Sequence, residues 1–111
     1  MHYKITIVIV NYRSWNYLSK CIDSLLNQKF YKPEIIIVDN FSDDGKITEF
    51  KSKYPNVQWI ELDYNSGFSK ACNIGAKESK TEWILFLNPD SVLPNDCLNN
   101  LIPFCEKNNL G

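Results

Sequence analysis

Hydrophobic and polar positions along the chain switch repeatedly between a period of two and a period near 3.6. Lys4–Val10 reads as a strand, rich in β-branched residues and ending in the apolar run Ile7-Val8-Ile9-Val10. Leu18, Cys21, Ile22, Leu25 and Leu26 then recur at helical spacing, with Ser14 or Asn16 placed to cap the helix start. After Pro33, Glu34–Val38 is a second apolar strand, and it closes on Asp39. Ser42-Asp43-Asp44-Gly45 reads as a turn or cap before a short helix marked by Ile47, Phe50 and Tyr54, which Pro55 stops. Val57–Leu62 alternates as a third strand nearer an edge. Gly67–Lys80 carries Phe68, Ala71, Cys72 and Gly75-Ala76 on one helical face. Trp83–Leu87 is a fourth strand, and Cys97, Leu98, Leu101 and Ile102 mark a last helix that Pro103 must kink or end.

This strict β-α alternation predicts an α/β fold of one domain over residues 1–111. The expected form is Rossmann-like: three αβα layers around a mainly parallel sheet, strand order 3-2-1-4, covered on both faces with right-handed crossovers. In such sheets ligands sit beyond the carboxyl ends of the strands, beside the point where the strand order reverses.

Composition narrows the function. With 12 basic and 13 acidic residues the net charge is −1, without the basic footprint that nucleic acid requires. Hydrophobic residues make up 44% and aromatics 14%, ample for a core and incompatible with intrinsic disorder. No apolar run approaches the ~20 residues of a membrane helix, and Met1 leads straight into strand-like sequence without a leader. Cys21, Cys72, Cys97 and Cys105 form no C-x-x-C pair, so reduced thiols and a cytoplasmic location are expected.

The strand ends carry the candidate chemistry. Asn11-Tyr12-Arg13 follows the first strand, Asp39-Asn40 the second, Asp63-Tyr64-Asn65 the third and Asn88-Pro89-Asp90 the fourth. Asp39 can accept hydrogen bonds from a nucleobase N–H or from ribose hydroxyls; equally, a loop aspartate makes an Asx turn. Asp43-Asp44 before Gly45 is better read as capping than as acid–base chemistry. Asn88 and Asp90 form a hard oxygen pair suited to Mg²⁺ or Mn²⁺ that borrows ligands from phosphates, although Asn-Pro-Asp is also a turn sequence. Asn65-Ser66-Gly67-Phe68 opens a helix with Lys70 in its first turn, an arrangement that favours an anionic phosphate. Gly67 and Gly75 serve turn and helix–sheet packing as readily as ligand contact.

Together these segments resemble the family 2 glycosyltransferases of GT-A fold. The resemblance rests on Ile7–Ser14, Glu34–Gly45, Asn65–Gly75 and Leu85–Asp90, four motifs in the family's order. The Leu-Asn-Pro-Asp form is similar to a rhamnosyltransferase-like branch that builds bacterial surface polysaccharides. The resemblance implies that Val10 and Tyr12 border the nucleobase and ribose, that Asp39 bonds the base, and that Asn65 to Asn73 line the phosphate and sugar. It implies that Asn88-Pro89-Asp90 matches the family's D-x-D segment, with Asp90 the main metal ligand. Asn88 replaces an Asp common in relatives, leaving one anionic ligand. Cys72 stands where many relatives carry Arg, so charge compensation falls to Lys70 or Arg13.

The implied reaction is inverting transfer of a sugar from a nucleoside diphosphate donor (UDP- or dTDP-linked) to a saccharide or lipid-linked acceptor. Family members are longer, so the chain reads as a truncated GT-A domain that binds nucleotide without turnover, its general base expected beyond Gly111. An open sheet edge would allow homodimer pairing. The alternative is a non-catalytic nucleotide-binding α/β module. A dinucleotide-binding oxidoreductase would need a glycine-rich turn where Asn11-Tyr12-Arg13-Ser14 stands. A phosphorylated receiver-like module would need acids after the first strand.

Overall fold

The computed structural model of the protein describes residues 3–108; Met1, where no leader is expected, and the Leu110-Gly111 end lie outside the described residues. The elements are β1 (Ile5–Asn11), α1 (Trp15–Leu26), β2 (Glu34–Asp39), α2 (Ile47–Lys53), β3 (Gln58–Glu61), α3 (Phe68–Lys77), β4 (Trp83–Leu87) and α4 (Cys97–Lys107). All three strand pairings are parallel, in the order β3-β2-β1-β4. The expected α/β architecture and strand order are therefore observed. The order reverses between β1 and β4, which opens a crevice at their carboxyl ends.

The continuous apolar runs of β1 and β2 bury both faces. Ile5, Ile7, Ile9, Ile35 and Ile37 pack with Leu18, Ile22 and Leu25 of α1 and with Leu98 and Ile102 of α4. Val8, Val10, Ile36 and Val38 face the other way, against Ala71 and Cys72 of α3. Full burial of each of these aliphatic side chains contributes about 2 kcal/mol. A Cβ on Gly75 would lie 2.6 Å from Val8 Cγ1, so here glycine is a packing residue that lets α3 sit down on the sheet.

Four features differ from the sequence reading. Coverage of the two faces is unequal, because α3 alone covers its side and stops short of β4. That strand is consequently a half-buried edge, with Ile84 and Phe86 exposed, rather than a buried strand. Helix α3 ends at Lys77, because Ser79 and Thr81 turn back to hydrogen-bond the buried Thr6 hydroxyl. Pro103 does not end α4, which runs on to Lys107 with the proline on an exposed position. Finally, Ser14 takes the cap position of α1 without a side-chain cap bond; Asn11 Oδ1 instead accepts the Ser14 N–H at 3.2 Å.

Candidate functional site: a clamped crevice at the strand ends

Register places Asn11 beside Asp39, and the two side chains join directly. Asn11 Nδ2 donates to Asp39 Oδ1 at 3.0 Å, in a fully buried setting. Ser42 completes the knot: its hydroxyl donates to Asp39 Oδ1 at 2.7 Å and its N–H to Asp39 Oδ2 at 3.1 Å. Asp39 therefore does make the Asx-type turn. A carboxylate offers about four acceptor positions, and three are used here, so one hydrogen bond from an incoming N–H or O–H remains available. Asn11 uses one amide N–H on Asp39 and its Oδ1 on the Ser14 N–H, so it holds Asp39 in place at the β1 end.

Arg13 crosses from β1 to the same loop. Its backbone N–H and Nε donate to Ser42 Oγ and Ser42 O, each at 2.9 Å, while its guanidinium carbon lies 5.2 Å from the Tyr12 ring centre. Asn40 ties the loop to the start of α3. It donates to Gly67 O at 3.2 Å and accepts from Ser66 N at 2.8 Å. Asn65 Oδ1 accepts the Gly67 N–H, and Gly67 adopts φ +81°, which explains a glycine there. Lys70 rests over the Tyr64 ring at 5.2 Å, on the same side. Asn73 is exposed one turn further along α3.

Between the β2 and β3 ends lies an open cleft of about 300 Å³, walled by Phe41, Ile47 and Leu62 and edged by Asp39, Asp43 and Glu61. Asp44 borders it too. Its Oδ1 accepts the Lys46 N–H and its Oδ2 accepts the Trp15 indole N–H at 2.9 Å. Desolvation opposes ionisation of Asp44, but those two bonds and the nearby Lys46 and Arg13 charges outweigh it and hold its carboxyl below the usual range. Asp44 thus makes the expected turn ahead of α2 but does not cap it: Lys46 occupies the cap position and no side-chain cap bond is made there.

The β4 end is built differently. Asn88 and Asp90 are both exposed, and neither side chain makes a hydrogen bond or ion pair among the described residues. Only the backbone is held: Ser91 N–H donates to Asn88 O at 3.0 Å, and the Cys21 thiol points at the same oxygen at 3.8 Å. No group of three or more His, Cys, Asp or Glu converges on a metal position among the described residues. The donor set of one carboxylate and one amide oxygen suits a hydrated hard cation sharing its shell with phosphate oxygens, and suits no softer metal.

The family model described as Glycosyl transferase family 2 matches residues 6–111. The chain belongs to glycosyltransferase family 2. It is 40% identical to the poly(ribitol-phosphate) beta-glucosyltransferase of Bacillus spizizenii, over 95% of this chain and 18% of the relative. It is 33% identical to the poly(ribitol-phosphate) beta-N-acetylglucosaminyltransferase TarP of Staphylococcus aureus, over 96% of this chain and 34% of that one. Among solved structures, S. aureus TarS 1-349 in complex with UDP-GlcNAc superposes with TM-score 0.86 at 26% identity, covering 96% of this chain and 32% of that one. The family 2 chain thus spans between about a fifth and a third of the length of these proteins. The first two are named glucosyl- and N-acetylglucosaminyltransferases, neither a rhamnosyltransferase.

Of the residues expected at the site, Asn11, Arg13 and Asp39 are joined in one network, while Asn65 and Gly67 are linked to it through Asn40. Val10 is the last residue but one of β1 with its side chain in the core under α3, Lys70 stands on the α3 side, and Asn88 and Asp90 occupy the far end beyond β4. Sequence reasoning missed Asn40, Ser42 and Ser66 as the fasteners. The available signal was Asp-Asn-x-Ser directly after a buried strand, a spacing at which both polar side chains reach neighbouring loops.

Proposed function

We propose that this chain is the donor-binding part of an inverting family 2 glycosyltransferase. Its donor is a nucleoside diphosphate sugar, UDP- or dTDP-linked, and its acceptor a saccharide of a bacterial surface polymer. The observation that carries this reading is the single acceptor position left on a rigidly held Asp39 at the head of a cleft. Asp43 and Asp44 beside it disfavour phosphate in that cleft, where Glu61 is already paired with Lys51 at 2.6 Å, and leave Asp39 to accept an N–H or O–H group. The diphosphate then lies toward Arg13, Lys70 and the first turn of α3, whose free N–H groups favour anions. The UDP-GlcNAc carried by the similarly folded S. aureus TarS structure supports the donor class.

The β4 end would hold Mg²⁺ or Mn²⁺, with Asp90 the principal ligand and Asn88 the second. Such an ion neutralises negative charge on a departing diphosphate. The protein's own residues do the rest: Asp39 fixes the nucleoside, Arg13 and Lys70 offset phosphate charge, and the clamp keeps these groups in place before the donor arrives. A general base must remove the acceptor proton. Asp39 and Asp44 are bound into turns and Asp90 is assigned to metal, so we place that base beyond Gly111 and expect no turnover from these 111 residues alone. We place the reaction on the cytoplasmic side; no helix among the described residues is long and apolar enough to cross a membrane.

Isothermal titration of the chain with UDP, dTDP and inorganic phosphate tests the reading. Saturable one-site binding of a nucleoside diphosphate, far tighter than that of phosphate, is expected. Equal response to all three, or none, would leave a folded module without the proposed role.

A further inference from the structure

Phe41 is out of keeping with its neighbours. Asp39, Asn40 and Ser42 are 5%, 4% and 1% exposed, whereas Phe41 between them is 39% exposed. Its φ of +63° lies in the left-handed region, where a side chain bearing a Cβ is strained and glycine would be at ease. The strain persists because both flanking residues are locked. Asn40 is tied to Ser66 and Gly67 by three hydrogen bonds, and Ser42 to Asp39 and Arg13 by four. The backbone at position 41 cannot relax, and the ring is delivered to the mouth of the cleft it shares with Asp39 and Leu62.

Three aromatics stand within three residues of strand ends: Tyr12 directly after β1, Phe41 two residues past β2 and Tyr64 three past β3. Arg13 covers the Tyr12 ring and Lys70 covers the Tyr64 ring. Among the described residues the Phe41 ring has no aromatic or cationic partner. It stands opposite the apolar Ile47 and Leu62, over an edge of carboxylates. A slot with apolar walls and acceptor edges fits a flat ring with N–H groups on its rim and rejects phosphate. Strain retained at an exposed aromatic points to a task that glycine could not perform.

We propose that Phe41 is the stacking wall for the nucleobase, its ring lying against the base face while Asp39 accepts from the base or ribose edge. This rests on the nucleotide-binding reading above. UDP is the probe, titrated into the wild-type chain and into Phe41→Gly and Phe41→Trp. The glycine variant suits the local backbone and so folds, while the tryptophan variant keeps an aromatic face. Because aromatic stacking of a base is a sizeable and base-tolerant contribution, Phe41→Gly should weaken UDP binding about tenfold and Phe41→Trp should stay within about threefold of wild type. Proton NMR gives an independent signature: the uracil H5 and H6 resonances of bound UDP move upfield in wild type and Phe41→Trp, and lose that shift in Phe41→Gly. UDP binding to Phe41→Gly with wild-type affinity and an unchanged upfield shift would overturn the stacking role alone. Absence of UDP binding to the wild-type chain would overturn the nucleotide reading and the stacking role with it.

Discussion

The two ends of the crevice are made in opposite ways. At the β2 end every polar side chain of the Asp39–Ser42 turn is buried and bonded, and two non-glycine residues, Phe41 and Asp43, are held at positive φ beside Arg13 at the β1 end. At the β4 end the Asn88 and Asp90 side chains stand in solvent, and only the main chain beneath them is fixed. The contrast follows from the sheet. β2 is an inner strand covered on both faces, so a carboxylate at its tip is desolvated and must find partners. β4 is an edge, so its tip is wet and its carboxylate survives unpaired. An interior tip yields a preorganised set of hydrogen-bonding groups; an edge tip leaves an open carboxylate, to which the proposed function assigns a cation taken up together with its anion.

The largest test of this contrast is Asp39→Ala. It removes the acceptor for Asn11 Nδ2 and for the Ser42 N–H and hydroxyl, leaving buried donors unpaired. A loss of about 3 kcal/mol in unfolding free energy is expected, together with loss of UDP binding. Urea denaturation and titration measure the two effects. A stability change within error would mean that the knot at the inner tip is not what holds the loop.

Gln28→Ala comes next. Gln28 is fully buried and donates to Ser24 O and Pro94 O while accepting the Leu98 N–H, tying the end of α1 to the segment that follows Asp90. Its removal should cost about 2 kcal/mol in denaturant melts by leaving the buried Leu98 N–H without a partner, while Pro94 O keeps only the Cys97 N–H. UDP affinity without metal should survive, because no bond from Gln28 reaches the β2 end.

Asp90→Ala should change stability by less than about 0.5 kcal/mol, as expected for an exposed, unbonded side chain. It should nonetheless abolish the additional thermal stabilisation that Mn²⁺ gives in the presence of UDP, since a ligand stabilises only the state that binds it. A large loss of stability without ligand would make Asp90 a turn residue like Asp39.

A further effect appears only at alkaline pH. Burial, with a lesser contribution from the Asp90 charge, pushes the Cys21 thiol up to about 11 from its ordinary 9.0. The folded state therefore holds its proton more tightly than the unfolded chain does. The associated stability is intact below pH 9 and is lost as pH rises toward 11. Thermal melts of wild type across this window should fall more steeply than those of Cys21→Ala. Parallel curves would show that the thiol beneath the β4 turn is not isolated from solvent.

Most of the fold was legible because the apolar runs of β1 and β2 and the 3.6-residue spacing in α1 and α3 depend on local pattern alone. The β4 edge was not, since Trp83-Ile84-Leu85-Phe86-Leu87 is uniformly apolar and only tertiary packing decides which face α3 reaches. Pro103 misled because its ring disfavours a helix interior, yet α4 carries it on an exposed position, away from the face that Leu98 and Ile102 bury. The candidate site was legible as carboxylates at strand tips. Its fasteners Asn40, Ser42 and Ser66 were not, because their partners lie in loops that sequence spacing cannot bring together. Phe41 was invisible for a related reason: the sign of φ is not written in the residue.

The most direct test of the contrast is paramagnetic broadening of amide resonances by Mn²⁺, recorded with and without UDP. With UDP bound, broadening should centre on residues 88–91 and the first turn of α3, and substoichiometric Mn²⁺ should have little effect when UDP is absent. Broadening centred on Asp39, Asp43, Asp44 and Glu61 would contradict the account, as would an unchanged pattern at residues 88–91 without nucleotide. The first would place the cation at the clamped end of the crevice, and the second would make the open end a site complete without its anion.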